Sequence, residues 1–164
     1  MPSLEWSEEL VLDNEVMDET HREFVDLLAK VETAGALADT QPLLQAWDAL
    51  VEHTQEHFDR EDAWMQQTGF AASNCHAGQH HVILEILREM QRRAHADTDL
   101  ALLRQLVGEL GKWFVQHAQT MDTALAGHLQ SVGFDPHTGE LARPQALPEQ
   151  ALQGCGGASC STAG

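Results

Sequence analysis

The chain has 164 residues, enough for one domain that buries a core without disulfide or metal cross-links. Its formal net charge of -17, from 9 Lys+Arg against 26 Asp+Glu, disfavours contact with phosphate backbones and anionic lipid headgroups. We therefore expect neither nucleic acid nor membrane partners. Because the N-terminus has no secretory signal and no window approaches the roughly 20 apolar residues of a spanning helix, we also expect a cytoplasmic protein.

Apolar residues at helical spacing predict two helices in the first half of the chain. The first covers about residues 18–37 and follows an N-terminal arm that ends near Val16. The second opens at Pro42, behind a cap at Thr40, because proline is tolerated in a first helical turn. This second helix is predicted to end near Gly69.

Two further helices are predicted in the second half. The third follows a cap at Ser73 or Asn74 and reaches about residue 95, and the fourth follows a cap at Asp97 or Thr98 and ends near residue 133. No segment alternates with the two-residue period of a strand, and the connections are only a few residues long. The sequence therefore predicts an all-α fold, an up-down-up-down antiparallel four-helix bundle.

We expect residues 1–134 to form this bundle and residues 135–164 to form a flexible tail. The tail is rich in proline, glycine and small residues, and it offers little to bury. It carries Cys155 and Cys160, which could bind a soft metal, form a redox-sensitive disulfide or dock a protein partner. With Cys75 the cysteines make an odd number that does not resemble a disulfide framework, so we expect reduced thiols.

The chain has 10 histidines and no tyrosine, and the spacing of the histidines indicates whether they are scattered on the surface or share a site. His57 and Glu61 are four residues apart, and so are His76 and His80, so each pair projects from one face of its helix. Imidazole together with carboxylate suits first-row transition metals. The two pairs are therefore candidate metal ligands.

The fourth helix adds His117 and Asp122, which are five residues apart, about 140° around an ideal helix. Both can face one central site, and the fit improves if the helix bulges there. His21 stands alone near the start of the first helix, so only the bundle topology assigns it to the site. In an up-down-up-down bundle all seven candidates converge in one layer, where two bridged metal ions would use them all.

These motifs resemble the hemerythrin family, specifically its single-domain bacterial members, over about residues 4–132. The resemblance is carried by the stretches W6, M17-D-E-T-H21, H57-F-D-R-E61 with Met65, H76-x3-H80, and W113-x3-H117-x4-D122 followed by His128-Leu129. Any one of these spacings alone would be weak, whereas the full ordered set is specific.

The resemblance implies a non-haem di-iron centre with an oxo or hydroxo bridge. One iron would be held by His76, His80 and His117, the other by His21 and His57, with both carboxylates bridging: Glu61 and Asp122. It further implies reversible binding of molecular oxygen for storage, delivery or buffering, without enzymatic turnover. Four aromatic residues are candidate walls of the oxygen pocket, and ordinary core packing explains them equally well: Phe24, Phe58, Trp113 and Phe114.

Other functions stay open at this point. One is an oxygen, redox or nitric-oxide sensor in which the tail signals to a partner, although no segment resembles an output domain. Others are a di-iron oxidase, a peroxidase, a nitric-oxide scavenger or an iron-binding protein, although the paired Glu-x-x-His motifs of ferritin-like enzymes are missing. We expect a monomer. Five histidines are not expected to be ligands: His53, His81, His95, His128 and His137.

Overall fold

The computed structural model describes residues 2–96 and 100–154, and within these ranges it contains helices and no strand. The first four α-helices pack each against the next along the chain, and the fourth also packs against the first, which closes a four-helix bundle. The all-α prediction is confirmed. The helices are α1 (Glu15–Gly35), α2 (Gln41–Gln67), α3 (Cys75–His95), α4 (Leu100–His117) and α5 (Thr123–Val132), with short 3-10 turns at Glu8–Leu10 and Pro144–Ala146.

A π-helical turn, Ala118–Asp122, joins α4 to α5, so these three segments form one continuous fourth helix. The hydroxyl of Thr123 donates to the carbonyl of Ala118, five residues earlier, at 2.9 Å. A turn of this kind holds one more residue than an α-helical turn, and it is often found at functional sites. It is the bulge that the five-residue spacing of His117 and Asp122 favours.

Side-chain caps explain where two of the helices begin. The Asn14 side chain accepts a hydrogen bond from the Met17 amide at 3.2 Å, and the Asn74 side chain accepts one from Ala77 at 3.0 Å. The predicted cap of the third helix is therefore Asn74 and not Ser73. Thr40 precedes α2 as predicted, but its side chain makes no capping hydrogen bond. The predicted caps at residues 97 and 98 lie outside the described residues.

Two apolar clusters share the core, and a polar layer lies between them along the helices. On α1 the first cluster contains Phe24 and the second contains Met17, with His21 between them in sequence. On the fourth helix Phe114 belongs to the first cluster and Leu125 to the second, again on either side of polar residues. The predicted ligands therefore lie where apolar packing encloses them from both ends.

The segment after α5 packs on the bundle as far as residue 154, although the sequence analysis expected little there to bury. The Leu152 amide donates to the Gly69 carbonyl, and the Leu152 carbonyl accepts from the Ala71 amide, both at 2.9 Å. The side chain of Leu152 also packs against the second apolar cluster. Pro148 lies so close to Gly69 that a Cβ there would be 2.4 Å from the Pro148 Cγ. The segment therefore covers the loop between α2 and α3.

Cys75 begins α3 and takes part in a disulfide bond, whereas the sequence analysis expected reduced thiols. Cys155 and Cys160 lie outside the described residues, and so do the roles proposed for them. None of the helices described is both long and apolar enough to cross a membrane.

Candidate metal centre

The structure brings all seven predicted ligands together in the polar layer of the bundle. Each side chain is buried, and none of the residues is more than 3 % exposed. Their ligand atoms form two groups that share Glu61, within 4.8 Å of one another in each group. The larger group contains Glu61, His76, His80, His117 and Asp122, and the smaller contains His21, His57 and Glu61.

Asp122 directs its two carboxylate oxygens to different histidines. Its Oδ1 lies 3.1 Å from His76 Nε2 and 3.2 Å from His117 Nε2, whereas its Oδ2 lies 3.2 Å from His21 Nε2. The π-helical turn makes this possible, because it rotates Asp122 back towards the face that carries His117. One carboxylate thus spans the two groups of histidines.

Glu61 divides its oxygens in the same way. Its Oε1 lies 3.0 Å from His57 Nε2, and its Oε2 lies 3.5 Å from both His76 Nε2 and His80 Nε2. The two carboxylates therefore run side by side between three histidines on one side and two on the other. Each carboxylate therefore contacts histidines of both groups.

Several buried polar atoms of this layer have no hydrogen-bond partner of good geometry among the described residues. They include both ring nitrogens of His21 and His76, both oxygens of Asp122 and Oε2 of Glu61. Buried groups of this kind are normally paired, since each unpaired one costs about 1–3 kcal/mol. A cation placed among them would bind the lone pairs of the two Nε2 atoms and of the carboxylate oxygens. The donor set, imidazole with carboxylate, fits a first-row transition metal.

The electrostatics of the layer keep the carboxylates ionised. Burial and the charge of Asp122 oppose ionisation of Glu61, but contact with His57 and His76 holds the Glu61 pKa well below its ordinary value. The Asp122 pKa is also lowered: burial opposes this, and contact with His117 and His21 outweighs it. Two anionic carboxylates at the centre favour a cation between them.

The pKa values of the buried histidines shift in different directions. Burial lowers the pKa of His76, but contact of its ring with the carboxylates of Asp122 and Glu61 outweighs burial and raises that pKa to about 9. The pKa of His21 is likewise raised, against burial, by Asp122. For His80, burial prevails over its hydrogen bond to Asp62, and the pKa is lowered. The buried carboxylates therefore favour the protonated form of His21 and His76, and burial favours the neutral form of His80.

The four candidate wall residues contact different halves of the site. The three-histidine half contains His76, His80 and His117, and the two-histidine half contains His21 and His57. Phe114 meets the His21 ring edge to face at 5.1 Å, and Phe24 stacks on Phe114 at 4.3 Å. On the other side, Trp113 stacks on His117 at 4.6 Å. Phe24 and Phe114 therefore adjoin the half with two histidines, and Trp113 adjoins the half with three.

Phe58 contacts both halves. Its ring stacks on His80 at 3.9 Å, with 6° between the ring planes, and it lies 5.2 Å from the ring of His57. Phe58 is itself buried. It therefore packs between a histidine of each half and restricts the movement of both rings.

The histidines that were not expected to be ligands lie outside both groups of ligand atoms. His53 pairs with Glu23 at 3.0 Å, His95 pairs with Asp48 at 2.8 Å, and His128 contacts the Thr68 carbonyl at 2.8 Å. The His81 side chain is 74 % exposed, and His137 is also exposed. These five are bound to other partners or face solvent.

Two side chains that the sequence analysis did not single out contact the predicted ligands. Asp62 Oδ1 lies 2.8 Å from His80 Nδ1, and Gln79 Oε1 lies 2.9 Å from His117 Nδ1. Each is adjacent in sequence to a predicted ligand, which is the only signal that could have indicated it. Neighbouring positions on a helix point about 100° apart, so adjacency alone does not predict such a contact.

The chain is similar to known proteins over most of its length. The family model described as hemerythrin HHE cation binding domain matches residues 12–129. A bacteriohemerythrin of Ralstonia nicotianae is 41% identical over 135 residues, which is 82% of this chain and 95% of that protein. A bacteriohemerythrin of Stenotrophomonas maltophilia is 24% identical over 87% of this chain and 89% of its own length.

A bacteriohemerythrin of Methylococcus capsulatus is 23% identical over 64% of this chain and 79% of its own length. No solved structure matches the chain. The family match includes all seven predicted ligands, and the Ralstonia relative matches this chain over nearly its own full length. The chain therefore belongs to the hemerythrin family.

Proposed function

We propose that this protein binds molecular oxygen reversibly at two non-haem iron ions, for storage, delivery or local buffering of oxygen. Membership of the hemerythrin family implies non-haem iron. The observation that carries the proposal is the division of the carboxylate oxygens between two unequal groups of histidines. One ion would be held by His76, His80 and His117, and the other by His21 and His57, with both carboxylates shared.

The inequality of the two groups supports oxygen binding rather than a purely structural metal site. A structural site is closed by protein ligands, whereas a reactive site keeps one position for an outside molecule. The half with His21 and His57 has one protein ligand fewer, so the position for an outside ligand belongs there. When bound, the iron pair supplies the electrons and the open coordination position that reversible oxygen binding needs.

The protein itself contributes a dry environment around that half. Phe24 and Phe114 are each 1 % exposed; Phe114 contacts the His21 ring, and Phe24 stacks on Phe114. An apolar shell of this kind controls the access of solvent to a metal site. Exclusion of water and of stray proton donors would favour release of oxygen over irreversible oxidation of the iron.

The direct test starts with protein loaded anaerobically with ferrous iron, in which iron per chain is counted. Exposure to oxygen should produce a charge-transfer absorption band, and removal of oxygen should abolish it over repeated cycles. Two iron ions per chain and a reversible band would support the proposal. Immediate and irreversible oxidation would refute reversible binding and favour an oxidase, a peroxidase or a scavenger of nitric oxide.

A second candidate is an oxygen or redox sensor, and the segment after α5 favours it. Leu152 is hydrogen-bonded to Gly69 and Ala71, and the Ala71 carbonyl accepts from Asn74, the residue that caps the helix carrying His76. A change at the metal could therefore alter the docking of this segment. Limited proteolysis of the oxidised and reduced protein tests this, since equal cleavage after residue 135 would exclude it.

A further inference from the structure

Two of the predicted ligands have a hydrogen-bond acceptor behind the imidazole ring, on the side away from the site. His80 Nδ1 faces Asp62 Oδ1 at 2.8 Å, and His117 Nδ1 faces Gln79 Oε1 at 2.9 Å. An ionised carboxylate can only accept a hydrogen bond, so the proton between His80 and Asp62 resides on Nδ1. The amide oxygen of Gln79 likewise accepts from a protonated Nδ1 of His117.

This protonation leaves a lone pair on the other nitrogen of each ring. The two Nε2 atoms, of His80 and His117, face each other at 3.2 Å inside the buried layer. If both Nδ1 atoms carry the protons, no proton lies between the two Nε2 lone pairs, and they repel each other. A cation that both lone pairs can bind removes this repulsion.

The other three histidines lack such support among the described residues. The Nδ1 atoms of His21, His57 and His76 are buried and have no hydrogen-bond partner there. Acceptors behind metal-binding histidines fix the tautomer and the ring orientation, and they raise the basicity of the ligand. The support is therefore confined to two ligands of the three-histidine half.

We propose that Asp62 and Gln79 are positioning residues that set His80 and His117 in the metal-binding tautomer and make the three-histidine half the tighter metal site. Neither residue would touch the metal. Asp62 lies on α2 and would orient the ring of His80 on α3. Gln79 lies on α3 and would orient the ring of His117 on α4. This inference rests on the proposed metal site but not on oxygen binding.

The test measures Zn²⁺ affinity of the metal-free full chain by competition with a chromophoric chelator. Asp62→Ala and Gln79→Ala should each weaken the tightest Zn²⁺-binding step by about 10- to 100-fold, the usual effect of removing such a partner. Asp62→Asn and Gln79→Glu retain an oxygen acceptor and should restore most of the affinity. The controls Asp59→Ala on α2 and Gln116→Ala on α4 remove exposed side chains of the same two residue types and should change nothing.

Affinity in either alanine variant equal to that of the unmodified chain would overturn the proposal. So would acceptor-retaining variants as weak as the alanine variants, because an oxygen acceptor behind the ring would then not be what supports metal binding. Far-UV circular dichroism and thermal unfolding of each metal-free variant separate loss of affinity from loss of fold. Failure of the reversible oxygen band in the unmodified protein, with the Zn²⁺ results as expected, would refute oxygen binding and leave this inference intact.

Discussion

His117 and Asp122 are five residues apart on one continuous helix, yet His117 Nε2 and Asp122 Oδ1 lie only 3.2 Å from each other. An ideal α-helix would rotate the two side chains about 140° apart. The π-helical turn Ala118–Asp122 holds the extra residue and brings both to the buried layer. The turn is therefore a precondition of the proposed metal centre and not an incidental irregularity.

Deletion of Gln119, an exposed residue of this turn, should disrupt the site while the helices persist. The deletion converts the spacing to four residues and rotates Asp122 and α5 relative to α4. Loss of a hydrogen bond that supports a metal ligand lowers metal affinity by roughly 10- to 100-fold, and the deletion should lower it by at least as much. Iron counting and circular dichroism check this, with Gln119→Ala as the control. Full iron content in the deletion variant would contradict a role for the turn.

Glu61→Ala should reduce bound iron from two ions to one per chain. The Glu61 carboxylate directs Oε1 to His57 and Oε2 to His76 and His80, so its removal takes a ligand from both halves. The half with two histidines has fewer remaining ligands and should empty first. Iron analysis after gel filtration checks this, with the exposed Glu56→Ala as the control. Retention of two ions would rule out a bridging role for Glu61.

Phe114→Ala should accelerate irreversible oxidation of the oxygen-bound protein. Phe114 packs edge to face on His21, so its loss opens the dry side of the half with two histidines. The cavity should also cost about 3–5 kcal/mol in the free energy of unfolding. Leu103→Ala removes a fully buried side chain from the same apolar cluster and controls for destabilisation alone. Equal oxidation rates in the two variants would indicate that stability, and not exclusion of water, sets the rate.

The metal-free protein should lose stability as the pH rises from about 6.5 to about 9. The pKa of His76 is raised from 6.5 to about 9 by Asp122 and Glu61, against burial. A raised histidine pKa contributes stability that is complete below the unfolded value and is lost as the pH rises through the folded value. Urea unfolding at several pH values checks this slope. His76→Asn should flatten it, and an unchanged slope would contradict the assignment to His76.

Metal affinity should change in the opposite direction over the same pH range. The metal must displace the proton that His76 holds, so binding strengthens as the pH rises towards about 9. Chelator competition with Zn²⁺ at pH 6.5 and 9 measures this. Affinity that does not change with pH would indicate that His76 does not bind the metal through its Nε2.

Gly69→Ala should destabilise the protein and detach the segment that covers the α2–α3 loop. Gly69 has a φ of 103°, and an added Cβ would lie 2.4 Å from the Pro148 Cγ. The backbone strain alone costs on the order of 1–3 kcal/mol. The control is Gly108→Ala in α4, where an added Cβ contacts nothing within 4 Å. The Gly108→Ala control should raise the free energy of unfolding by up to about 1 kcal/mol. A similar rise in Gly69→Ala would contradict the tight packing of Gly69 against Pro148.

The amino-acid sequence alone was enough to predict the helices and most of the candidate site, because both depend on local periodicity. Pairs four residues apart, such as His57 and Glu61, share a helix face whatever the rest of the chain does. The five-residue spacing of His117 and Asp122 even favoured the bulge that the structure contains. His21 could be assigned only through bundle topology, and short connections were sufficient to predict that topology.

Tertiary structure alone decided which distant side chains meet. The contacts of Asp62 with His80 and of Gln79 with His117 depend on the rotation of each helix about its own axis, which local spacing does not encode. Leu152 packs beside Gly69, although the two residues are far apart in the sequence. The composition of the segment that contains Leu152 gave no reason to expect this contact. Periodicity orders residues within one helix, whereas close packing between helices determines which side chains face each other.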